Sequence, residues 1–171
     1  MKRLNKIIFL SVLVSVGLGL SVIESSIPLP VTIPGAKLGL SNMVVLVTLV
    51  LFGFKEGLIV SGLKSIVLML ITGSLSSFIY SFSGALLSCI VMALSYKFLS
   101  KIFSLIGISI LGALAHNFAQ VSVASLMIKN LRIFTYLPFL MLTSLFTGYF
   151  VGLSSIYIIK NLKKSFKILI Q

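Results

Sequence analysis

The chain has 171 residues, 58% of them hydrophobic and 9% charged, with a mean hydropathy of +1.23. A soluble domain carries roughly 25% charged residues, so an ordinary water-soluble fold is excluded; a helix in lipid must hide only its backbone and can be apolar all round. The 14 Lys and Arg against 2 acids give a net charge of +12, yet most of the basic residues flank apolar runs, and no soluble stretch remains to bind nucleic acid.

Met1 to Lys6 followed by the uncharged run 7–23 has the charged and apolar parts of a signal peptide. No small-residue cleavage site follows and apolar segments continue, so the segment reads as a retained first helix. On it Ser11, Ser15 and Gly19 recur at four-residue intervals, a ridge without bulk against which another helix can lie closely. Two readings stay open for this ridge: packing inside the chain, or docking of a separate membrane subunit. Between Ser25 and Ala36, Pro28, Pro30 and Pro34 favour extended or turn backbone. An apolar connection of this kind lies in the membrane interface or packs into the protein, and a lid over an outward-facing cavity is one form of the second.

Further uncharged runs cover 38–54, 57–63, 65–96, 102–128 and 133–159. A crossing takes about 20 residues, so 65–96 is too long for one. Taking Lys64 as intramembrane and breaking at Gly73-Ser74 predicts an all-α membrane domain over 1–171, with about six helices near 6–24, 38–54, 57–72, 75–97, 103–128 and 133–160. Six crossings put Lys2, Arg3, Lys6, Lys55, Lys97, Lys101, Lys160, Lys163, Lys164 and Lys167 on one side, and Lys37, Lys129 and Arg132 on the other. That bias predicts a multi-pass protein of the cell membrane with both termini cytoplasmic, whereas five crossings would move Lys97, Lys101 and the C-terminal lysines outward.

Chemistry is bounded by what the sequence lacks. Its acids are Glu24 and Glu56, with no Asp, so a Mg²⁺–diphosphate site of clustered carboxylates cannot be built. Gly57 and Gly62 have P-loop spacing, but Leu63 stands where that motif needs Lys. One His and one Cys give no zinc cluster or nucleophile triad, and Cys89 reads as a small buried hydrophobe. The chain is therefore expected to be no enzyme and to carry no cofactor or metal.

Polar residues inside the apolar runs remain. On the fifth helix Ser109, Gly112, His116 and Gln120 fall on one side with Asn117 beside His116. Unpaired amide and imidazole groups are costly in hydrocarbon, so the stripe should face protein, water or ligand; a structural hydrogen-bond network and a ligand site both explain it. Lys64 lies seven residues into the third helix. It can snorkel part of the way to the cytoplasmic face, pair with Glu56, or meet an anion bound in a cavity. Ser144, Gly148 and Gly152 form a second small-residue strip on the last helix.

The segments PGAKLGLSN at 34–42, YSFSGALLS at 80–88, GISILGALAHNFAQ at 107–120 and YLP at 136–138 together resemble the Gx transporter family, also labelled heptaprenyl diphosphate synthase component I. That family is similar to the substrate-binding S-components of energy-coupling-factor importers, six-helix proteins that capture a vitamin-like ligand and dock on a coupling subunit driven by two ATPases. The resemblance implies an S-component-like bundle that takes up a small, vitamin- or isoprenoid-related molecule. Lys37 and Lys64, with few acids to neutralise them, favour an anionic one. It assigns ligand contact to Lys37, His116, Asn117 and Gln120, beside which Asn42 and Lys64 are further candidates, and subunit docking to Ser11, Ser15 and Gly19, although the docking strips of S-components are typically alanine-rich. The other label implies a noncatalytic membrane subunit that anchors a soluble polyprenyl diphosphate synthase.

Overall fold

A few residues with special backbone or capping chemistry cut the apolar sequence into helices. In the computed structural model, which describes residues 3–27 and 38–170 and the side chains of 4–27 and 38–164, these are α1 (Arg3–Ser25), α2 (Asn42–Phe52), α3 (Phe54–Thr72), α4 (Leu75–Leu99), α5 (Leu105–Ile128) and α6 (Leu137–Ile170), with a 3₁₀ turn at Leu131–Tyr136. The Ser74 and Ser104 hydroxyls accept from the backbone N–H groups of Ser77 and Gly107 and so cap the starts of α4 and α5. Pro138 sits in the first turn of α6, where its missing N–H removes no helical bond.

Among the described residues, four stretches are long and apolar enough to cross a membrane: Leu4–Ser25, Leu75–Leu99, Leu105–Ile128 and Leu131–Lys164. The chain is an all-α, polytopic membrane protein. The expected second helix, 38–54, is much shorter than predicted. Gly39 has φ +86°, a left-handed conformation that no helix start accommodates, and residues 38–41 form a turn in which the Asn42 N–H donates to the Gly39 carbonyl. At the other end Gly53, with φ +104°, makes the whole connection to α3 by itself, so α3 begins at Phe54 and takes in Lys55 and Glu56. With 11 residues, α2 is about 16 Å long, half of a hydrocarbon core.

This short helix is the central post. It contacts each of the other five helices, while α5 packs between α4 and α6, and α1 lies against α2 and α3. Its residues Val44, Val45, Leu46, Val47, Thr48 and Leu49 are all buried. Lys6 on α1 pairs with Glu56 in the first turn of α3, the Phe9 and Phe52 rings lie 5.6 Å apart, and Ile159 and Leu162 of α6 join Leu13 and Val47 in one apolar cluster. The start of α1, the α2–α3 turn and the later part of α6 therefore share one end of the bundle, the end rich in lysine. The turn at 38–41 and the link between α5 and α6 lie at the other.

Candidate functional site

The turn before α2 is pinned from α1. Glu24, 3% exposed in the last turn of α1, uses one carboxylate oxygen to accept from the backbone N–H groups of Gly39 and Leu40. A Cβ at Gly39 would lie 3.1 Å from Asn42 Nδ2 and 3.7 Å from His116 Cδ2, so the turn brings the start of α2 against the middle of α5. Next to it, Ser41 Oγ accepts from Lys64 Nζ at 2.6 Å. Lys64 is 1% exposed, and its stem runs past Gly17 of α1, where a Cβ would sit 3.2 Å from Lys64 Cδ. Lys64 thus reaches away from the lysine-rich end rather than snorkelling towards it, and Glu56, one partner considered for it, is paired with Lys6 instead.

From the opposite side α4 contributes an absence of bulk. A Cβ on Gly84 would lie 2.9 Å from both Cε1 and Nδ1 of His116 and 3.0 Å from Gln120 Cγ. His116 and Gln120 are each 2% exposed. Asn42 completes the cluster: it is buried, and neither its Oδ1 nor its Nδ2 has a hydrogen-bond partner among the described residues. An amide group left unsatisfied in a buried place costs about 1–3 kcal/mol, and this side chain carries two such atoms. Chemically, the cluster offers a carboxylate, an ammonium, an imidazole and two amides within a shell of helices. Its groups include both hydrogen-bond donors and acceptors. Among the described residues no group of three or more His, Cys, Asp or Glu side chains could hold a metal ion.

Not all of the expected site residues meet here. Asn117, one position from His116 and so about 100° further round the helix, turns to α6, where its Nδ2 donates to Leu140 O at 3.1 Å and to Ser144 Oγ at 2.7 Å. It clasps α5 to α6. The rest of the stripe divides as well: Gly112 packs under Met92 and Ser88 of α4, whereas Ser109 lies beside Gly152 of α6. The strip on α6 is a packing surface, because a Cβ at Gly148 or Gly152 would come within 2.7 Å and 2.6 Å of the Cα atoms of Ile110 and Ile106. Lys37 lies outside the described residues, as do Pro28, Pro30 and Pro34 of the expected lid.

Ser11, Ser15 and Gly19 face outward on α1, and nothing lies within 4 Å of a Cβ at Gly19. Internal packing, one of the two readings of this ridge, is not its role. The buried side of α1 consists of Leu13, Gly17, Ser21 and Glu24 instead. The two serine hydroxyls donate to Ile7 O and Ser11 O of their own helix, at 3.1 Å and 3.0 Å.

The family model described as heptaprenyl diphosphate synthase component I matches residues 13–158. The chain belongs to that family. The match covers every residue of the polar cluster and all of α2 to α5, so the component I fold includes the whole candidate site. Neither a curated protein nor a solved structure matches the chain.

Glu24, Gly39, Ser41 and Gly84 belong to the cluster and were not among the sequence candidates. Glu24 carried a signal: an ionisable residue at the end of an apolar helix is suspect by default. Gly84 and Gly39 carried none beyond their place in the YSFSGALLS and PGAKLGLSN segments, since contact across helices is invisible to periodicity.

Proposed function

We propose that this component I chain is a substrate-capture subunit of the membrane, holding a small polar molecule among Glu24, Asn42, Lys64, His116 and Gln120. The buried, unpartnered amide of Asn42 carries the proposal. Protein interiors rarely keep such groups unless something satisfies them, and a ligand placed against Asn42 would meet His116 and Lys64 from neighbouring helices. Glu24 in the same cluster offsets Lys64, so the site favours a ligand with both donors and acceptors over a simple anion. A vitamin-like molecule or a polar isoprenoid precursor has that character.

The sequence contains no motif for nucleotide hydrolysis, so uptake would be energised by a coupling subunit and ATPases that are separate proteins. The outward ridge of Ser11, Ser15 and Gly19 is the proposed contact with the coupling subunit, and six helices with both termini cytoplasmic is the proposed topology. Native mass spectrometry of the purified full chain tests the capture role, with a retained small molecule as the expected result. Finding none, together with unchanged uptake of vitamins and isoprenoid precursors in cells lacking the chain, would remove this reading.

The family's name favours a second reading, a noncatalytic membrane subunit that anchors a soluble heptaprenyl or other polyprenyl diphosphate synthase. Its lysine-rich end would supply the contact. Affinity purification separates the two: co-purification of a soluble Asp-rich synthase supports the anchor, and co-purification of a membrane coupling protein with ATPases supports transport.

A further inference from the structure

A concavity lies far from the polar cluster, at the lysine-rich end of the bundle. It is a cavity of about 400 Å³, almost wholly apolar, formed where the α2–α3 turn leaves a gap beside the last turns of α4. Leu49, Phe54, Ile90, Ala93 and Leu94 line it, with Tyr96 and Lys97 nearest the end of α4. The gap follows from the backbone: Gly53 reverses the chain without a side chain, and α2 ends at Phe52, so nothing from α2 extends alongside α4 beyond that point.

Most of the charges around it are positive, the exception being Glu56, whose Oε2 lies 3.6 Å from where a Cβ on the lining Gly53 would stand. Lys97 lines the cavity and is exposed, Lys55 follows Phe54 directly, and Lys101 stands one turn beyond Lys97. The acid at this end, Glu56, is engaged by Lys6. An apolar slot at the edge of the hydrocarbon region, flanked by Tyr and Lys at headgroup depth, matches an amphiphile with a hydrocarbon chain and a negative head. We infer that this cavity is a binding site for one acyl chain of an anionic bilayer phospholipid, with Lys97 holding the phosphate. The lipid would fill the space beside the α2–α3 turn and tie α3 to α4 at that end of the bundle.

The site shares no residue with the polar cluster, so its test is independent of substrate capture. The full chain, purified in an uncharged detergent, is titrated with dioleoyl phosphatidylglycerol, dioleoyl phosphatidylethanolamine and farnesyl diphosphate, and bound species are counted by native mass spectrometry. Phosphatidylglycerol should bind at least five-fold more tightly than phosphatidylethanolamine, the size expected from one basic residue near an anionic head (about five-fold). Lys97→Gln should abolish that preference, and Lys160→Gln on α6 should keep it; both side chains are exposed, and Lys97 gives up only its place 5.2 Å over the neighbouring, exposed Phe98 ring. Ala93→Phe, which fills the slot, should reduce retention of both phospholipids. Equal binding of the two lipids, a preference that survives Lys97→Gln, or displacement of phosphatidylglycerol by farnesyl diphosphate at lower concentrations than the lipid itself requires, would each overturn the assignment.

Discussion

Asn42→Leu separates a ligand contact from a structural one. It replaces two unsatisfied amide atoms with slightly larger methyl groups on the same branched frame, and relief of the unsatisfied atoms should offset the added bulk, so the thermal midpoint in detergent should stay the same or rise. Retention of a bound small molecule should fall at least about ten-fold, equivalent to roughly 1.4 kcal/mol. A lower midpoint with ligand binding intact would make Asn42 a structural residue. Gly84→Ala acts from the other wall: its methyl would come 2.9 Å from the His116 ring and force the ring aside. Its loss of binding should not add to that of His116→Ala in a double-mutant cycle, because both changes displace the same imidazole. Of these residues, His116, Gln120 and Lys64 were legible in the sequence as polar groups stranded in apolar runs, whereas Asn42 was a candidate with no such signal of its own. Asn117, read beside His116, faces α6, because adjacency in sequence says nothing of which neighbouring helix lies 100° away. Glu24 went unassigned because it sits at the edge of its run, where an acid is ordinarily solvated.

Two small-residue strips with the same spacing serve different ends, and only their surroundings separate them. Gly148→Leu or Gly152→Leu would drive a side chain into the backbone of α5, so either should cost at least about 1–3 kcal/mol of stability, read as a lowered unfolding midpoint. Gly19→Leu meets nothing within the chain and should leave the midpoint unchanged, while weakening co-purification with a membrane coupling partner. If Gly19→Leu leaves every partner bound, the outward ridge has no docking role. Helix boundaries were legible where a Ser cap or a Gly-Ser pair marks them, as at Ser74 and Gly73. The start of α2 was not, because the reach of Glu24 to the N–H groups of Gly39 and Leu40 is a tertiary event, and a lone Gly39 in an uncharged run does not by itself show that residues 38–41 turn.

Across the whole molecule, the ion pair of Lys6 with Glu56 fixes the start of α1 beside the start of α3. As a partly exposed pair it should contribute no more than about 1 kcal/mol, so a Lys6→Gln variant should insert and fold normally. The proposed topology predicts that single cysteines at Lys101 and Lys160, in a Cys89→Ser background, are shielded from an impermeant maleimide added to intact cells, and that cysteines at Lys129 and Arg132 react. Labelling of Lys101 from outside would overturn the orientation. The overall class was plain from composition, since little but a lipid-solvated helical bundle tolerates so few charges.

The outward serines of α1 give their hydroxyl protons to carbonyls one turn earlier, which has a consequence for how assemblies form and exchange. Acyl chains and a neighbouring polypeptide meet the same self-satisfied surface, so the strip gains or loses no hydrogen bond when a companion arrives or departs. If a companion does dock on this strip, shape rather than hydrogen bonding would govern its attachment.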